Sequence, residues 1–134
     1  MDELERRTRE IVKRNHFTEY NHIELVEVAP DYAVFRLEIG PNSVNGYGMV
    51  HGGALYAMAD NATGCAVHTD GRDHVTQSGS LNFLSNQTRG VILATARVRQ
   101  RGRRTALASV DITNEEGKLL ATGDFRYYCV SAGK

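Results

Sequence analysis

The sequence predicts an α+β fold in which an antiparallel β-sheet wraps around one long central helix. Three observations predict it. Residues 54–67 are almost entirely small or apolar, the pattern of a helix buried on every side, because a solvated face would show charges at 3.6-residue spacing. Four alternating segments follow, joined by connections short enough to be hairpins between antiparallel neighbours. Ala54, Ala57, Ala59, Ala62, Gly64 and Ala66 would let strands come close to the helix axis, and nothing else in the chain can cover its circumference.

The elements can be justified in order. Residues 1–15 alternate Glu and Arg over a thin apolar stripe of Leu4, Ile11 and Val12, as a surface helix would, and the mixed signs give no nucleic-acid arm. Residues 16–21 read as a connector. Residues 23–28 and 32–39 read as strands around a Pro30-Asp31 turn, with Ala33, Phe35, Leu37 and Ile39 sharing the buried face. Residues 40–50 are rich in Gly, Pro, Asn and Ser and form the loop that delivers the chain to the central helix. After a turn at residues 69–73, one strand carries Val75, Leu81 and Phe83 on one face and Thr76, Ser78, Ser80 and Asn82 on the other. Ile92, Ala94, Ala96 and Val98, then Ala106, Ala108, Val110 and Ile112, then Leu119, Ala121, Phe125 and Tyr127 mark the inner faces of three more.

Length and charge bound the function. A chain of 134 residues suits one domain, expected over 1–134, with a real core and no room for a second catalytic unit. Sixteen basic residues balance sixteen acidic ones, which gives no support for a nucleic-acid partner. No apolar run approaches the roughly 20 residues of a membrane span, and the charged N-terminus is unlike a signal peptide, so a cytoplasmic protein without a membrane partner is expected. Cys65 and Cys129 are too few and too apolar in setting for a disulfide framework and read as reduced core residues. His68, Asp70, Asp73 and His74 match no metal-ligand spacing and read as a polar loop.

Chemistry concentrates in residues 45–60. Asp60 is a lone carboxylate inside an apolar helix, costly unless something pairs with it or uses it; a wet edge or a hydrogen bond from a neighbouring strand is the structural alternative. Gly52 and Gly53 open the helix, where the first N–H groups lack intrahelical partners and attract partly anionic oxygen, although two glycines also suit a tight loop-to-helix turn. His51, just ahead, would by itself be a structural histidine holding that loop.

Asn45, five further residues, His51-Gly52-Gly53, and Asp60 nine positions after the histidine resemble the active-site segment of the PaaI-like thioesterases of the hotdog-fold superfamily. The resemblance extends, in the order of elements, from about Ala33 to Tyr128. It implies a hotdog fold and hydrolysis of an acyl-CoA thioester to free acid and CoA. The Gly52 N–H would polarise the carbonyl, Asn45 would position water or carbonyl, and His51 would steady the loop. Asp60 of the partner subunit would be general base or nucleophile, and a hydroxyl beside it would come from Thr76, or from Ser78 if the register slips. A thioester suits these parts because thiolate leaves well and no serine or cysteine nucleophile is needed, and no Gly-x-Ser-x-Gly elbow occurs.

Geometry sharpens the expectation. Eight residues along a helix span roughly 12 Å at 1.5 Å per residue, whereas an oxyanion donor and an attacking group must both lie about 3 Å from one carbonyl. Gly52 and Asp60 of one chain cannot serve the same carbonyl, so the site would be shared in a homodimer, and an exposed sheet edge favours dimers or a dimer of dimers. Gly53, Tyr56, Met49 and Phe83 would line a pocket for a medium-chain or aromatic acyl group. Arg89, Arg101, Arg103 and Arg104 are candidates for the CoA phosphates; single exposed arginines are otherwise ordinary surface. No cofactor or metal is expected. Two other classes stay open: a hotdog protein that binds acyl thioesters without turnover, and a hotdog hydratase or dehydratase, whose histidine–carboxylate motif is not seen here.

Overall fold

The computed structural model describes residues 1–131; the last three positions of the domain expected over 1–134 lie outside the described residues. The elements run α1 (Glu3–Lys13), α2 (His16–Tyr20), β1 (Glu24–Ala29), β2 (Tyr32–Glu38), a 3₁₀ turn (Pro41–Ser43), α3 (Gly52–His68), β3 (His74–Phe83), β4 (Val91–Arg101), β5 (Thr105–Asn114) and β6 (Leu119–Cys129). The six strands form one antiparallel sheet in the order β1-β2-β4-β5-β6-β3, curled around α3. Phe35, Leu37, Met58, Ile92, Ile112, Leu120 and Phe125 are fully buried between helix and sheet. This is the fold predicted.

Local chemistry explains the N-terminal segment. Asp2 caps α1 by accepting the Glu5 N–H at 2.8 Å, and Arg6–Glu10 and Arg9–Glu5 pairs lie one turn apart along it. The expected connector at 16–21 holds a short helix, α2, because Asn15 accepts the Thr18 N–H at 3.1 Å and so starts a turn that composition alone did not announce.

Three expectations need correction. First, α3 is not covered on every side within one chain: Leu55, Met58, Ala59, Ala62, Thr63, Ala66 and Val67 are buried, while Gly53, Tyr56, Asp60, Gly64 and His68 lie along a stripe that the sheet leaves open. Small residues suit such a stripe as well as they suit a buried face, which is why patterning could not separate the two.

Second, the connection at 86–90 is not a hairpin. β3 pairs with β6, and β4 lies between β2 and β5, so the chain from Phe83 to Val91 crosses the end of the sheet. Three strand spacings of about 4.8 Å are well within the reach of seven linking residues.

Third, bulges interrupt four of the strand pairings, and those on β3 and β6 move residues off the alternation expected of them. Thr76 opposes Tyr127 and Ser78 opposes Arg126, so Gln77 is an extra residue and places Thr76 and Ser78 on opposite faces. Thr76 therefore shares the inner face with Leu81 and Phe83, and Val75 turns outward. On β6, Thr113 opposes Leu119 and Ile112 opposes Ala121; Leu120 is the extra residue and is buried, while Leu119 is 38% exposed. β3 is an edge strand ten residues long, with Phe83 54% exposed and Leu84 just beyond it also bare.

Candidate active site

The carboxyl group of Asp60 is held by hydroxyls from the two strands nearest the open stripe. Thr76 Oγ1 donates to Asp60 Oδ1 at 2.8 Å, and Tyr127 Oη donates to the same oxygen at 2.8 Å and lies 2.6 Å from the Asp60 carbonyl. Thr63 Oγ1 sits 2.8 Å from the phenol; when it donates there, the single phenol proton goes to Asp60. Burial first, and the neighbouring Asp60 charge second, push the Tyr127 phenol away from ionisation, so it stays a donor. Among the described residues nothing donates to Asp60 Oδ2, which is left for a water or a substrate atom.

At the N-terminus of α3 the backbone supplies the opposite polarity. His51 is the N-cap, and its Nδ1 accepts the Gly53 N–H at 2.7 Å, which assigns the ring proton to Nε2. Ala54 and Leu55 both donate to the His51 carbonyl. Of the amides in this first turn, that of Gly52 has no acceptor among the described residues, and it lies at the positive end of a 17-residue helix. The Gly53 amide is consumed, so Gly53 matters for its missing Cβ, which would sit 2.9 Å from the His51 ring.

The preceding loop is internally tied. Asn45 Oδ1 accepts from the Tyr47 and Met49 N–H groups at 2.9 and 3.1 Å, leaving its Nδ2 hydrogens free to meet a ligand. His51 N–H donates to Ser43 O at 2.7 Å and Val50 N–H to Gln87 O at 2.9 Å, which anchors both flanks. The Phe83 ring rests beside Gly52, 3.5 Å from where a Cβ would stand. Tyr56 packs against Phe125 in a tilted arrangement, ring centroids 5.0 Å apart and planes at 60°, over the gap left by Gly79.

A family model described as the thioesterase superfamily matches residues 47–121, more than half of the chain, from the end of the loop before α3 through α3, β3, β4 and β5 to the start of β6. The chain belongs to the thioesterase superfamily. It is a PaaI-like hotdog thioesterase. Human acyl-coenzyme A thioesterase 13 is 30% identical over 132 residues, covering 92% of this chain and 94% of that one. Escherichia coli acyl-coenzyme A thioesterase PaaI is 29% identical over 100 residues, covering 74% and 71%. A hypothetical thioesterase protein of Streptococcus pneumoniae TIGR4, solved with coenzyme A, superposes with a TM-score of 0.82 at 28% identity, covering 92% and 99%. Solved variants of that pneumococcal protein carry alanine at an aspartate and at a threonine sixteen positions further on, the separation of Asp60 and Thr76 here.

Within this thioesterase the sequence-predicted residues fall into separate places. Asp60 and Thr76 meet, whereas Ser78 faces Arg126 on the other side of the sheet. Asn45, His51, Gly52 and Phe83 gather at the start of α3. Met49 and Arg89 line a surface groove of ≈ 600 Å³ with Tyr47, Glu115 and Glu116. Arg101 lies at the far end of α3, some 22 Å from Gly52 at 1.5 Å per residue, where it donates to Val67 O at 3.0 Å and pairs with Asp31 at 2.7 Å and Asp70 at 2.5 Å. Its guanidinium caps the helix C-terminus and is not free for a phosphate. Arg104 touches the Tyr128 hydroxyl at 3.3 Å in the same region, and the Arg103 carbonyl accepts from Arg72.

Sequence reasoning missed Tyr127 and Thr63. Tyr127 reads as one more inner-face residue of β6, and only the β3–β6 pairing opposite Thr76 brings its hydroxyl to Asp60. Cys65 stays a packing residue, since burial pushes its thiol up to about 12 and leaves no thiolate at neutral pH. Among the described residues no group of His, Cys, Asp and Glu is arranged to hold a metal ion, and no helix is long and apolar enough to cross a membrane.

Proposed function

We propose that this thioesterase hydrolyses acyl-CoA at a site built from two copies of the chain, each supplying what the other lacks. The observation that carries the reading is the placement of complementary groups on one continuous helix. The unpartnered Gly52 N–H and the open Asp60 Oδ2 belong to the same 17-residue α3, so they are about 12 Å apart and cannot act on one carbonyl within a chain. An antiparallel second α3 on the open stripe brings each group to its counterpart. The long, exposed and partly apolar β3 edge supports pairing with a second copy.

In this reading Gly52 N–H, at the positive end of the helix, binds the thioester oxygen and stabilises the charge that develops there. Asp60 of the partner subunit takes a proton from water, hydroxide adds to the carbonyl carbon, and collapse expels the CoA thiolate, which is protonated as the acid is released. Direct attack by the carboxylate, giving an anhydride that water then opens, uses the same atoms. Thr76 and Tyr127 fix Oδ1, leaving Oδ2 for either role. Asn45 positions the water or the carbonyl through Nδ2, and His51 holds the loop. Arg89, beside Met49 near the start of α3, is the arginine best placed for a CoA phosphate; Arg103 and Arg104 serve an end of the molecule remote from Gly52 of their own chain. The reaction needs no cofactor beyond the CoA of the substrate, and the assembly is a homodimer or a dimer of dimers acting in the cytoplasm, without nucleic-acid or membrane partners.

The test is to offer the purified protein a panel of acyl-CoAs and follow free thiol, with Asp60→Asn as control. Turnover by the wild type and a loss of about 10²–10⁴-fold in the variant are expected for a group that moves the proton or attacks. Undiminished turnover by the variant removes Asp60 from the reaction.

A further inference from the structure

Three residues of α3 close around the hydroxyl of Tyr127. Asp60, Thr63 and Gly64 stand at i, i+3 and i+4, so they are neighbours on one helical face. The phenol oxygen lies 2.6 Å from Asp60 O, 2.8 Å from Asp60 Oδ1 and 2.8 Å from Thr63 Oγ1. Gly64 forms the last wall: a Cβ there would stand 3.2 Å from the hydroxyl and 3.5 and 3.6 Å from two ring carbons. An alanine at 64 therefore fits only if the phenol gives way by a few tenths of an ångström. Glycine inside a helix is less stable than alanine, because more backbone freedom is lost on folding. Position 64 carries that penalty at the one place where the tyrosine hydroxyl needs the space.

Neither partner can yield freely. Tyr127 is 2% exposed on the inner face of β6, between Thr76 of β3 and Ala106 of β5. The helix is held from behind, since Ala62, Ala66 and Val67 are fully buried in the core and Asn61 Oδ1 accepts from the buried Thr18 Oγ1 at 2.8 Å. Pushing the phenol off the helix thus stretches its bond to the carboxylate. Thr63 sets the approach from the other side. Its single hydroxyl proton has Ala59 O at 2.8 Å, Asp60 O at 3.2 Å and the phenol at 2.8 Å within reach, and whichever accepts it, the Thr63 oxygen stays against the phenol. A methyl in place of that oxygen makes no hydrogen bond and needs more room than 2.8 Å.

We infer that Thr63 and Gly64 are positioning residues of the thioesterase, which together seat the Tyr127 hydroxyl against Asp60 Oδ1 and so hold the carboxyl with Oδ2 free to react. The inference rests on the reading of Asp60 given above. Both residues act through the phenol and not on the substrate. A methyl group introduced at 63 or 64 therefore lowers turnover only while a hydroxyl is present at 127. The same methyl is harmless once phenylalanine stands there, because nothing is left for it to displace.

The experiment is a double-mutant cycle on kcat, with one acyl-CoA that the wild type turns over and thermal melts alongside. Thr63→Val and Gly64→Ala should each lower kcat by about ten-fold, within the worth of a hydrogen bond to a charged group, with KM little changed. Thr63→Ser, which keeps the oxygen, should recover most of what Thr63→Val loses. In a Tyr127→Phe background the same two substitutions should lower kcat no further, to within about two-fold, whereas independent effects would multiply. Gly64→Ala should there raise the melting temperature, since the methyl meets no hydroxyl and the gain in helix propensity remains. It also carries the test if Thr63→Val does not fold. Losses that multiply in the Tyr127→Phe background overturn the inference, as does a wild-type kcat in both Thr63→Val and Gly64→Ala. A rise in KM with Gly64→Ala in both backgrounds overturns it too, because the glycine then makes room for substrate and not for the phenol. Each of those outcomes leaves hydrolysis at Asp60 standing. Failure of the wild type to release thiol from any acyl-CoA defeats the underlying reading of the site instead.

Discussion

Tyr127 and Asp60, sixty-seven residues apart in sequence, share a 2.8 Å hydrogen bond between the phenol and carboxylate Oδ1. The bond reaches from the last strand to the middle of the central helix, and with Thr76 it orients the one carboxylate on the open stripe. Removing it while keeping the ring isolates its contribution. Tyr127→Phe should lower kcat by about 10- to 100-fold, the worth of a hydrogen bond to a charged group, with KM little changed and the Thr76 contact keeping the carboxylate in place. Steady-state kinetics with a thermal melt check this; a normal kcat would show that Thr76 alone orients Asp60.

Arg101 gives the opposite expectation. Its bonds to Val67 O, Asp31 and Asp70 tie the β4–β5 turn to the end of α3. Arg101→Gln should therefore destabilise the protein by about 1–3 kcal/mol, since partly buried charged partners are left unmatched, and leave KM for acyl-CoA near the wild-type value. A raised KM at unchanged melting temperature would return Arg101 to substrate binding.

The same corner predicts an acid limit. Partial burial by itself raises the Asp70 carboxyl, but the hydrogen bonds from Arg72 and His74 and the Arg101 charge outweigh it and hold it at about 2. Because the folded value lies below the ordinary 3.8, the stabilisation is complete above that pH and disappears as pH falls towards 2. His74 adds in the same direction: burial pushes it below 6.5, so acid favours the unfolded chain that can protonate it. The difference in melting temperature between wild type and Asp70→Asn should shrink from pH 4 to pH 2; a constant difference would contradict the linkage.

How much of this was legible in the sequence differs between the two halves of the site. The loop and helix start, residues 45–53, are contiguous, and His51 followed by two glycines announces both a cap and a free amide. The central helix and three of the hairpins follow from periodicity and turn residues. What lay outside reach depends on register. One extra residue at Gln77 decides that Thr76 and not Ser78 faces Asp60, and no single-sequence pattern marks a bulge inside a run of Thr, Gln and Ser. The β3–β6 pairing is long-range, so Tyr127 could be recognised as buried but not as a donor to the acid. Arg101 looked like its neighbours because its acceptors come from α3, the β1–β2 turn and the α3–β3 turn, which only folding brings together.

The claim on which the mechanism depends is that one site draws Gly52 from one chain and Asp60 from another. Gly52→Pro removes the amide proton at a first-turn position where proline is well tolerated, and His51, at φ −69° and ψ 135°, has the extended backbone that a following proline requires. Gly52→Pro and Asp60→Asn should each be inactive alone. Unfolded together and refolded as a mixture, they should recover about a quarter of wild-type activity, because half of randomly assorted two-fold dimers are mixed and each of those has one intact site of two. A mixture as inactive as its parents, with mixed dimers demonstrated by native mass spectrometry, would place both groups on one chain and contradict the account.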